Sequence, residues 1–156
     1  MPAKWYVLGV KNNKDLILMK LLRSKGFEVF YPVLLIKTSN GKAIKAAPYF
    51  PGYLFVKFNP EMTSASSFQW IPYTTGLICF GDQPASVPSR LVQAIQQHVE
   101  EQNFNQENSF DSQMPAIQRN PDLIQGTIFD SKLSSSERSM ALLSMLQGIN
   151  VSPERT

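Results

Sequence analysis

The sequence predicts an α+β fold in which an antiparallel sheet is flanked by helices. Segments rich in β-branched and aromatic residues, at 5–10, 27–37 and 49–58, are interspersed with amphipathic helical patterns. The predicted order is β-α-β-β-α-β-α, which differs from the regular alternation of a doubly wound parallel sheet. The pair Asn40-Gly41 tolerates positive φ at both turn positions and so predicts an antiparallel hairpin.

The other elements follow from apolar spacing and from helix-end signals. A helix is predicted over about residues 14–25, because Leu18 and Leu22 lie four apart and Gly26 follows its end. Further along the chain, the pattern predicts a short helix over 61–68, a strand over 76–80 and a helix that begins at Pro88. Apolar residues at spacings of three and four predict the buried face of this last helix, and they are Leu91, Val92, Ile95 and Val99.

The strand within residues 49–58 carries apolar side chains on both of its faces. Alternation places Tyr53 and Phe55 on one face and Leu54, Val56 and Phe58 on the other. A strand with one solvated face would instead alternate apolar and polar residues. The sequence therefore predicts that layers cover both faces of the strand, or that one face binds a partner.

A wider group of aromatic and apolar residues admits the same two interpretations. The group comprises Tyr53, Phe55, Phe68, Trp70, Ile71, Tyr73, Leu77 and Ile78. About half of them are expected to be ordinary core residues. The others could line an exposed groove that receives a partner helix, with aromatic side chains as anchors.

The formal net charge of +3 is unevenly distributed along the chain. Residues 1–58 contain ten Lys or Arg and two acids, a net +8, whereas residues 59–156 contain five basic residues and ten acids, a net −5. A basic half is consistent with a polyanionic partner such as nucleic acid, and scattered lysines also keep ordinary domains soluble.

Catalytic and metal-binding patterns are absent from the sequence. The chain has one histidine, His98, and one cysteine, Cys79, too few for a zinc site, and it contains neither a Gly-x-Ser-x-Gly elbow nor a phosphate-binding glycine loop. We expect His98 to be an exposed polar residue of its helix and Cys79 to be a packed thiol. The sequence thus predicts a binding protein without cofactors, and not an enzyme.

Localisation is predicted from equally simple features. The chain lacks an apolar run of membrane-spanning length and a secretory signal pattern. Its single cysteine cannot form an internal disulfide, which fits a reducing compartment. We therefore expect a cytoplasmic protein, monomeric and without membrane contacts.

Several short motifs occur together, in the order in which one protein family carries them. They are Trp5-Tyr6, Phe50-Pro51-Gly52-Tyr53-Leu54-Phe55-Val56, Trp70-Ile71-Pro72, Gly76-Leu77, Phe80-Gly81 with Pro84, and Val87-Pro88. Through them, residues 4–100 resemble the N-terminal domain of NusG-type transcription elongation factors, including the RfaH-like members. The resemblance implies a non-enzymatic factor that binds RNA polymerase and reduces pausing and termination, through processive antitermination.

The resemblance also implies three sets of contact residues. The clamp helices of the largest polymerase subunit would contact Tyr53, Phe55, Leu77 and Ile78. The gate loop of the other large subunit would lie against Ser64, Ser66, Ser67, Tyr73, Thr74 and Thr75. The non-template DNA strand would contact Lys11 and Lys14.

The composition turns polar over residues 101–112, which predicts a linker between an N-terminal domain, 1–100, and a C-terminal region, 113–156. Two structures for this region remain open. By resemblance it would be a degenerate KOW-like β-barrel that recruits a ribosomal protein or Rho. Alternatively, it would be a helical hairpin that covers Tyr53 and Phe55 and autoinhibits the factor. Local helix signals favour the hairpin, whose contact residues would be Met140, Leu142, Leu143, Met145 and Leu146.

A different function class also fits the sequence. The basic half and its aromatic residues could belong to a free-standing RNA-binding or ribosome-associated module. That alternative predicts salt-sensitive binding to RNA in the absence of polymerase.

Overall fold

The computed structural model of the protein describes residues 3–38, 40–41, 43–107, 127–129 and 133–150. It confirms the α+β class with antiparallel sheets and helices. The strands are β1 (Lys4–Val10), β2 (Glu28–Phe30), β3 (Val33–Lys37), β4 (Ile44–Pro48), β5 (Tyr53–Phe58), β6 (Thr74–Leu77), β7 (Cys79–Phe80), β8 (Gln83–Pro84) and β9 (Ser86–Val87). The α-helices are α1 (Asp15–Ser24), α2 (Ser89–Glu107) and α3 (Ser135–Asn150), and 3₁₀ helices form at Ala65–Trp70 and Thr127–Phe129.

The central sheet is antiparallel and has the strand order β2-β5-β1-β6. β1 pairs with β5 along almost its whole length, from Lys4 opposite Phe58 to Gly9 opposite Tyr53. Its other edge is shared, since β6 pairs with the end of β1 and β9 pairs with its start. Two separate hairpins, β3–β4 and β7–β8, complete the strands.

Both faces of the central sheet are buried, by different layers. One face, here called the α1 face, is packed by Tyr6, Leu8, Val10, Leu18, Leu22, Val29, Leu54, Val56, Phe58 and Phe68. The opposite face, here called the α3 face, is packed by Trp5, Val7, Tyr49, Phe50, Phe55, Val87, Leu91, Val92, Ile95, Val99, Ile128, Leu142 and Leu146. Because successive strand residues point to opposite faces, β1 and β5 each contribute alternate side chains to the two cores. The predicted alternation of β5 is confirmed.

Helix α1 ends as the sequence predicts. Leu18 and Leu22 are fully buried, and Gly26 has φ of +94° just beyond the last turn. The Phe27 N–H donates to the Leu22 carbonyl at 3.1 Å and the Gly26 N–H donates to the Arg23 carbonyl at 3.0 Å. These two bonds form a Schellman motif, which satisfies the carbonyls that the helix end leaves open.

Three predicted elements differ from the observed ones. The strand over 27–37 is divided into β2 and β3, because Pro32 lacks the N–H that a continuous ladder needs. The helix over 61–68 is a 3₁₀ helix at Ala65–Trp70. The strand over 76–80 is divided between β6 and β7, which belong to different sheets.

The predicted linker begins inside a helix. Residues 101–107 are the last turns of α2, and residues 108–112 lie outside the described residues. The side chain of Asn103 fastens these turns to β3: its Oδ1 accepts from the Leu35 N–H at 2.8 Å and its Nδ2 donates to the Val33 carbonyl at 3.0 Å. The polar composition of residues 101–107 therefore occurs within a helix.

The C-terminal region is helical where α3 is described. Its first turn has a capping box, in which the Glu137 N–H donates to Ser134 Oγ at 3.2 Å and the Ser134 N–H donates to Glu137 Oε1 at 2.8 Å. The KOW-like motif region at 120–129 lies outside the described residues except for 127–129, which form a 3₁₀ turn. The hairpin and the domain boundaries stay predictions.

The two residues weighed as catalytic or metal-binding candidates are placed opposite to expectation. His98 is buried, because it lies one turn beyond Ile95 on the packed side of α2, with its ring centre 4.7 Å from that of Phe129 and 5.8 Å from that of Tyr49. Cys79 is exposed, because β7 is a two-residue strand of a separate hairpin. No helix in the described ranges is both long and apolar enough to cross a membrane.

Candidate functional site

The aromatic core of the α3 face is centred on Phe55. The Phe55 side chain is fully buried, and its ring centre lies 5.6 Å from that of Phe30 and 6.0 Å from that of Phe50. Tyr53 and Ile78 are partly buried and pack against the same cluster. Strand alternation places Tyr53 beside Phe55 on this face of β5.

The predicted clamp-helix set is only partly brought together. Tyr53, Phe55 and Ile78 share the α3 face, whereas Leu77 packs against the α1 face. Leu77 and Ile78 are consecutive, so their side chains leave the backbone on opposite sides. The wider aromatic group divides in the same way, since Phe68, Ile71 and Tyr73 also belong to the α1 face.

Helix α3 covers the aromatic core with one apolar stripe. Leu142 and Leu146, one turn apart, are fully buried in the α3 face, and Met145 packs beside them. Met140 is 71% exposed, so its predicted contact with Tyr53 and Phe55 is absent here. The reason is geometric: residues two apart on a helix point in nearly opposite directions.

The fifth predicted residue of α3, Leu143, is only half-buried. It does not belong to the buried clusters of the described residues. Of the five predicted contact residues, the structure therefore brings three to the α3 face, and they are Leu142, Met145 and Leu146.

Polar bonds fasten α3 to the backbone of the sheet domain. Arg138 Nε donates to the Tyr49 carbonyl at 3.1 Å, and its guanidinium carbon lies 4.3 Å from the centre of the Tyr49 ring, a cation–π distance. Ser139 Oγ donates to the Pro51 carbonyl at 3.3 Å. No sequence pattern predicts these contacts, because the partners of Arg138 and Ser139 are backbone carbonyls, which every residue carries.

The far end of α3 is held in a similar way. The Ser86 N–H donates to Asn150 Oδ1 at 3.1 Å, and Asn150 Nδ2 donates to the Ser86 carbonyl at 3.1 Å. The Asn150 amide thus makes, at the open edge of β9, the two hydrogen bonds to Ser86 that a neighbouring strand would make. The Tyr49 hydroxyl also donates to the Ile128 carbonyl, so the 3₁₀ turn is tied to the same surface.

The predicted gate-loop serines lie at the start of the first 3₁₀ helix. Ser64 Oγ and Ser66 Oγ are 2.8 Å apart, and Ser67 Oγ donates to the Ser64 carbonyl at 2.6 Å. These bonds are local, and all three serines are largely solvent-accessible. Their hydroxyls remain within reach of a partner loop.

The second gate-loop segment has one structural and one exposed threonine. Thr74 is buried; its Oγ1 donates to the Gly9 carbonyl at 2.9 Å and accepts from the Gly76 N–H at 2.8 Å. Thr75 is exposed, and its side chain lies close to Gly9. A Cβ added to Gly9 would be only 2.0 Å from Thr75 Oγ1. A side chain at that position of β1 would therefore require the Thr75 side chain to move.

The two lysines predicted to contact DNA are exposed and adjoin this second segment. The Lys11 N–H donates to the Tyr73 carbonyl at 2.9 Å, and Lys14 Nζ lies 5.8 Å from the centre of the Tyr73 ring. Tyr73 has φ of +73°, an uncommon value for a residue with a side chain. The structure therefore joins Lys11, Lys14, Tyr73 and Thr75 into one surface at the end of β1.

The described residues offer no group of three His, Cys, Asp or Glu side chains that could hold a metal ion. What they present is an apolar surface under a helix and a basic surface beside Tyr73. Both are suited to binding macromolecules.

Comparison with known proteins agrees with this picture. The family described as "Transcription termination factor nusG" matches residues 3–96, which is more than half of the chain. A solved structure described as "Domain interaction in Thermotoga maritima NusG" is similar at 22% sequence identity and a TM-score of 0.42, over 62% of this chain and 57% of that one. The present chain thus spans little more than half of that protein. The family match shows that the chain belongs to the NusG family, whose members are non-enzymatic transcription factors that typically bind RNA polymerase.

Proposed function

We propose that this protein is a transcription elongation factor that binds the clamp helices of the largest RNA polymerase subunit through its α3 face. Bound there, it would hold polymerase in an elongating state and reduce pausing and termination. The factor would act in the cytoplasm as a monomer. In the conformation described, α3 covers the binding face, so this state would be autoinhibited.

One observation carries the proposal: the most aromatic face of the family domain is covered by a helix from outside the family match. Phe55 lies within the match at 3–96, whereas α3 begins at Ser135. The covering stripe, Leu142 and Leu146, has the spacing with which a helix lies in a groove. A face that accepts one amphipathic helix has the shape and chemistry to accept another.

Under this proposal, polymerase binding is regulated by competition between α3 and the clamp helices for the α3 face. Polymerase could bind the α3 face only in the fraction of molecules from which α3 has departed, so the apparent affinity is lowered by that fraction. The hydrogen bonds that hold α3 would allow the helix to leave. Once Arg138 and Ser139 no longer donate to them, the Tyr49 and Pro51 carbonyls can bind water instead.

The further contacts of the proposal follow the surfaces described above. The gate loop of the other large subunit would lie against the serines at 64–67 and against Thr75. The non-template strand would follow Lys11 and Lys14. The region 113–156, once released, would be available to a ribosomal protein or to Rho.

Two substitutions on opposite sides of α3 test the proposal. Leu142→Asp places a charge in the α3 face and should release the helix, whereas Met140→Asp changes an exposed residue of the same helix. In a pull-down with core polymerase, the full-length Leu142→Asp variant should bind at least tenfold more than wild type. The Met140→Asp variant should bind like wild type.

The binding face itself is tested in the released background. Adding Tyr53→Ala to Leu142→Asp should abolish the gain, whereas adding Leu16→Ala, an exposed residue of α1, should not. Circular dichroism checks that the variants remain folded. Equal polymerase binding with and without Tyr53→Ala would reject the docking face. An α3 that is released without any gain in binding would reject autoinhibition.

A further inference from the structure

The hairpin β3–β4 is a two-stranded sheet of its own, and its two outer edges differ. The edge of β3 is occupied by a side chain of α2, since Asn103 accepts from the Leu35 N–H at 2.8 Å and donates to the Val33 carbonyl at 3.0 Å. Among the described residues, β4 is paired with β3 alone. The outer edge of β4, here called the β4 edge, is therefore a template on which another strand can add.

The hydrogen bonds of the hairpin show which backbone groups of β4 point outward. Because the Leu35 N–H faces α2, Leu35 and its partner Ala46 form a pair that exchanges no hydrogen bonds. The two kinds of pair alternate along an antiparallel ladder, and the Thr38 N–H accordingly donates to the Ala43 carbonyl at 2.9 Å. Ile44 and Ala46 therefore each direct an N–H and a carbonyl away from β3, toward the β4 edge.

The side chains near the β4 edge combine apolar and basic groups. Ile36 and Ile44 are 46% and 50% exposed, and Lys37 and Lys45 are exposed beside them. Residues 33–48 include three lysines and no acid. Because successive strand residues point to opposite faces, Lys45 lies on one face of β4, whereas Ile44 and Ala46 lie on the other.

This combination distinguishes between the possible partners of the edge. A second copy of the chain would bring the lysines of both hairpins together, and like charges opposed across strands are destabilising. A phosphate backbone could accept from the N–H groups of the edge but could not donate to its carbonyls. A strand with an acidic residue opposite Lys45 and apolar residues opposite Ile44 and Ala46 matches the charge, the apolar side chains and the backbone groups together.

We propose that the β4 edge binds an acidic extended segment of a partner protein by β-strand addition. Backbone hydrogen bonds to Ile44 and Ala46 supply the affinity, and a carboxylate beside Lys45 supplies the selectivity. Lys45 thus has two roles, since it attracts an acidic strand and repels another copy of the hairpin. The β4 edge is accessible while α3 is docked, and it lies outside the α3 face. The inference therefore goes beyond the proposed function and is tested separately from it.

A short capped peptide of alternating valine and glutamate, titrated into the isotope-labelled full-length protein and followed by NMR, tests the site. The amide signals of Ile44 and Ala46 should shift most, because these N–H groups gain hydrogen bonds. Ala46→Pro removes one outward N–H at an edge position, where proline is tolerated. It should weaken peptide binding by about 5- to 150-fold, because the opposite peptide carbonyl is left without a donor. Ala46→Val keeps the N–H and should bind at least as tightly as wild type.

Charge reversal tests the selectivity of the edge. Lys45→Glu turns an attractive cross-strand pair into a repulsive one and should weaken binding of the glutamate peptide by about 2- to 30-fold. The same variant should prefer a peptide in which lysine replaces glutamate. Lys20→Glu, a substitution of an exposed residue of α1, changes the net charge equally and should bind the glutamate peptide like wild type. The dispersion of the amide signals checks that each variant remains folded.

Several outcomes would overturn the inference. One is the absence of shifts at Ile44 and Ala46, and another is unchanged peptide affinity in folded Ala46→Pro. Equal weakening by Lys45→Glu and Lys20→Glu would mean that the peptide binds through net charge alone. Dimers in sedimentation that Ala46→Pro abolishes, without peptide binding, would assign the β4 edge to a second copy. Binding of duplex DNA that Lys45→Glu weakens and Ala46→Pro does not, again without peptide binding, would make the hairpin a nucleic-acid contact.

Discussion

The two faces of the central sheet are built from parts of the chain at very different distances. The buried residues of the α1 face all lie between Tyr6 and Phe68, and the helices that cover it connect consecutive strands. The α3 face takes buried residues from Trp5 to Leu146. A local layer forms with its strands, whereas a distant layer must close a long loop first. The α1 face is thus covered by local elements alone, whereas part of the α3 face is covered by α3, a distant helix whose detachment is the proposal made above.

The hydrogen bonds at the α1 face and at the α3 face also differ, in the groups that they join. On the α1 face, Asp15 accepts from the Tyr31 hydroxyl, and the Schellman motif ends α1. On the α3 face, Arg138, Ser139 and Asn150 bind backbone groups of the sheet domain. Backbone groups at a surface regain water when a helix leaves, so these bonds add to binding but impose little penalty on release.

The strongest test of the comparison uses neighbouring residues of β5. Phe55→Ala should lower the free energy of unfolding by about 3–5 kcal/mol and Leu54→Ala by about 2–5 kcal/mol, because both side chains are fully buried. When each is combined with Leu146→Ala, the two substitutions should differ in their coupling free energy with Leu146. Phe55 shares a core with Leu146 and should couple to it by about 0.5–3 kcal/mol, whereas Leu54 should be additive within about 0.5 kcal/mol.

Urea denaturation of the single and double variants gives these values. Val56→Ala, another fully buried residue of the α1 face, is the control and should also be additive with Leu146→Ala. Equal coupling of Leu54 and Phe55 to Leu146 would mean that the two faces act as one core. The proposed detachment of α3 would then lose its physical basis.

The sequence predicts the α1 face better than the α3 face. The buried positions Leu18, Leu22, Leu54 and Val56 all follow from periodicities of 3.6 and 2, which act over a few residues. The division of the second strand at Pro32 could also have been predicted, since proline cannot donate to a ladder. Local rules therefore suffice where a face is covered by local elements.

On the α3 face, the buried residues of α2, Leu91, Val92, Ile95 and Val99, also follow from helical spacing, but the docking of α3 depends on information that periodicity does not carry. The stripe in α3 predicts a helix with an apolar side, but its docking on the core that contains Phe55 is a tertiary event between segments about 90 residues apart. The burial of His98 differs from the prediction for the same reason: the residue is polar in type, yet Tyr49 and Phe129 come from distant segments to cover it. Trp70 shows the converse, an apolar residue that no distant segment of the described chain covers.

A smaller effect should follow from the arginine that fastens α3. Arg138→Ala removes a hydrogen bond to the Tyr49 carbonyl and a cation–π contact with the Tyr49 ring, which together stabilise the docked helix by about 1–2 kcal/mol. Native-state hydrogen exchange should show faster exchange of α3 amides and unchanged exchange of α1 amides. Arg90→Ala, an exposed residue of α2, should leave both helices unchanged. Equal acceleration in α1 and α3 would contradict the independence of the two faces.

The smallest expected effect concerns the Tyr31 hydroxyl, which donates to Asp15 at the α1 face. Burial, with the hydrogen bond and negative charge of Asp15, raises the pKa of Tyr31 well above the ordinary value of 10.0. The neutral phenol therefore stabilises the fold fully below about pH 10, and this contribution declines as the pH rises toward the raised pKa. Tyr31→Phe should cost about 0.5–1.5 kcal/mol at neutral pH, and its stability should fall less steeply than that of wild type above pH 10.

Urea denaturation at a series of pH values, with Asp15→Asn as the matched variant, measures this effect. Asp15→Asn keeps an acceptor for the hydroxyl but removes the charge, so its alkaline decline should lie between those of wild type and Tyr31→Phe. Burial alone also raises the pKa of Tyr6, which packs on the same face, so part of the decline should persist in both variants. Hydrogen exchange at alkaline pH should then accelerate in α1 before α3. Acceleration of α3 first would mean that the detachable layer, and not the tyrosines of the α1 face, sets the alkaline limit of the fold.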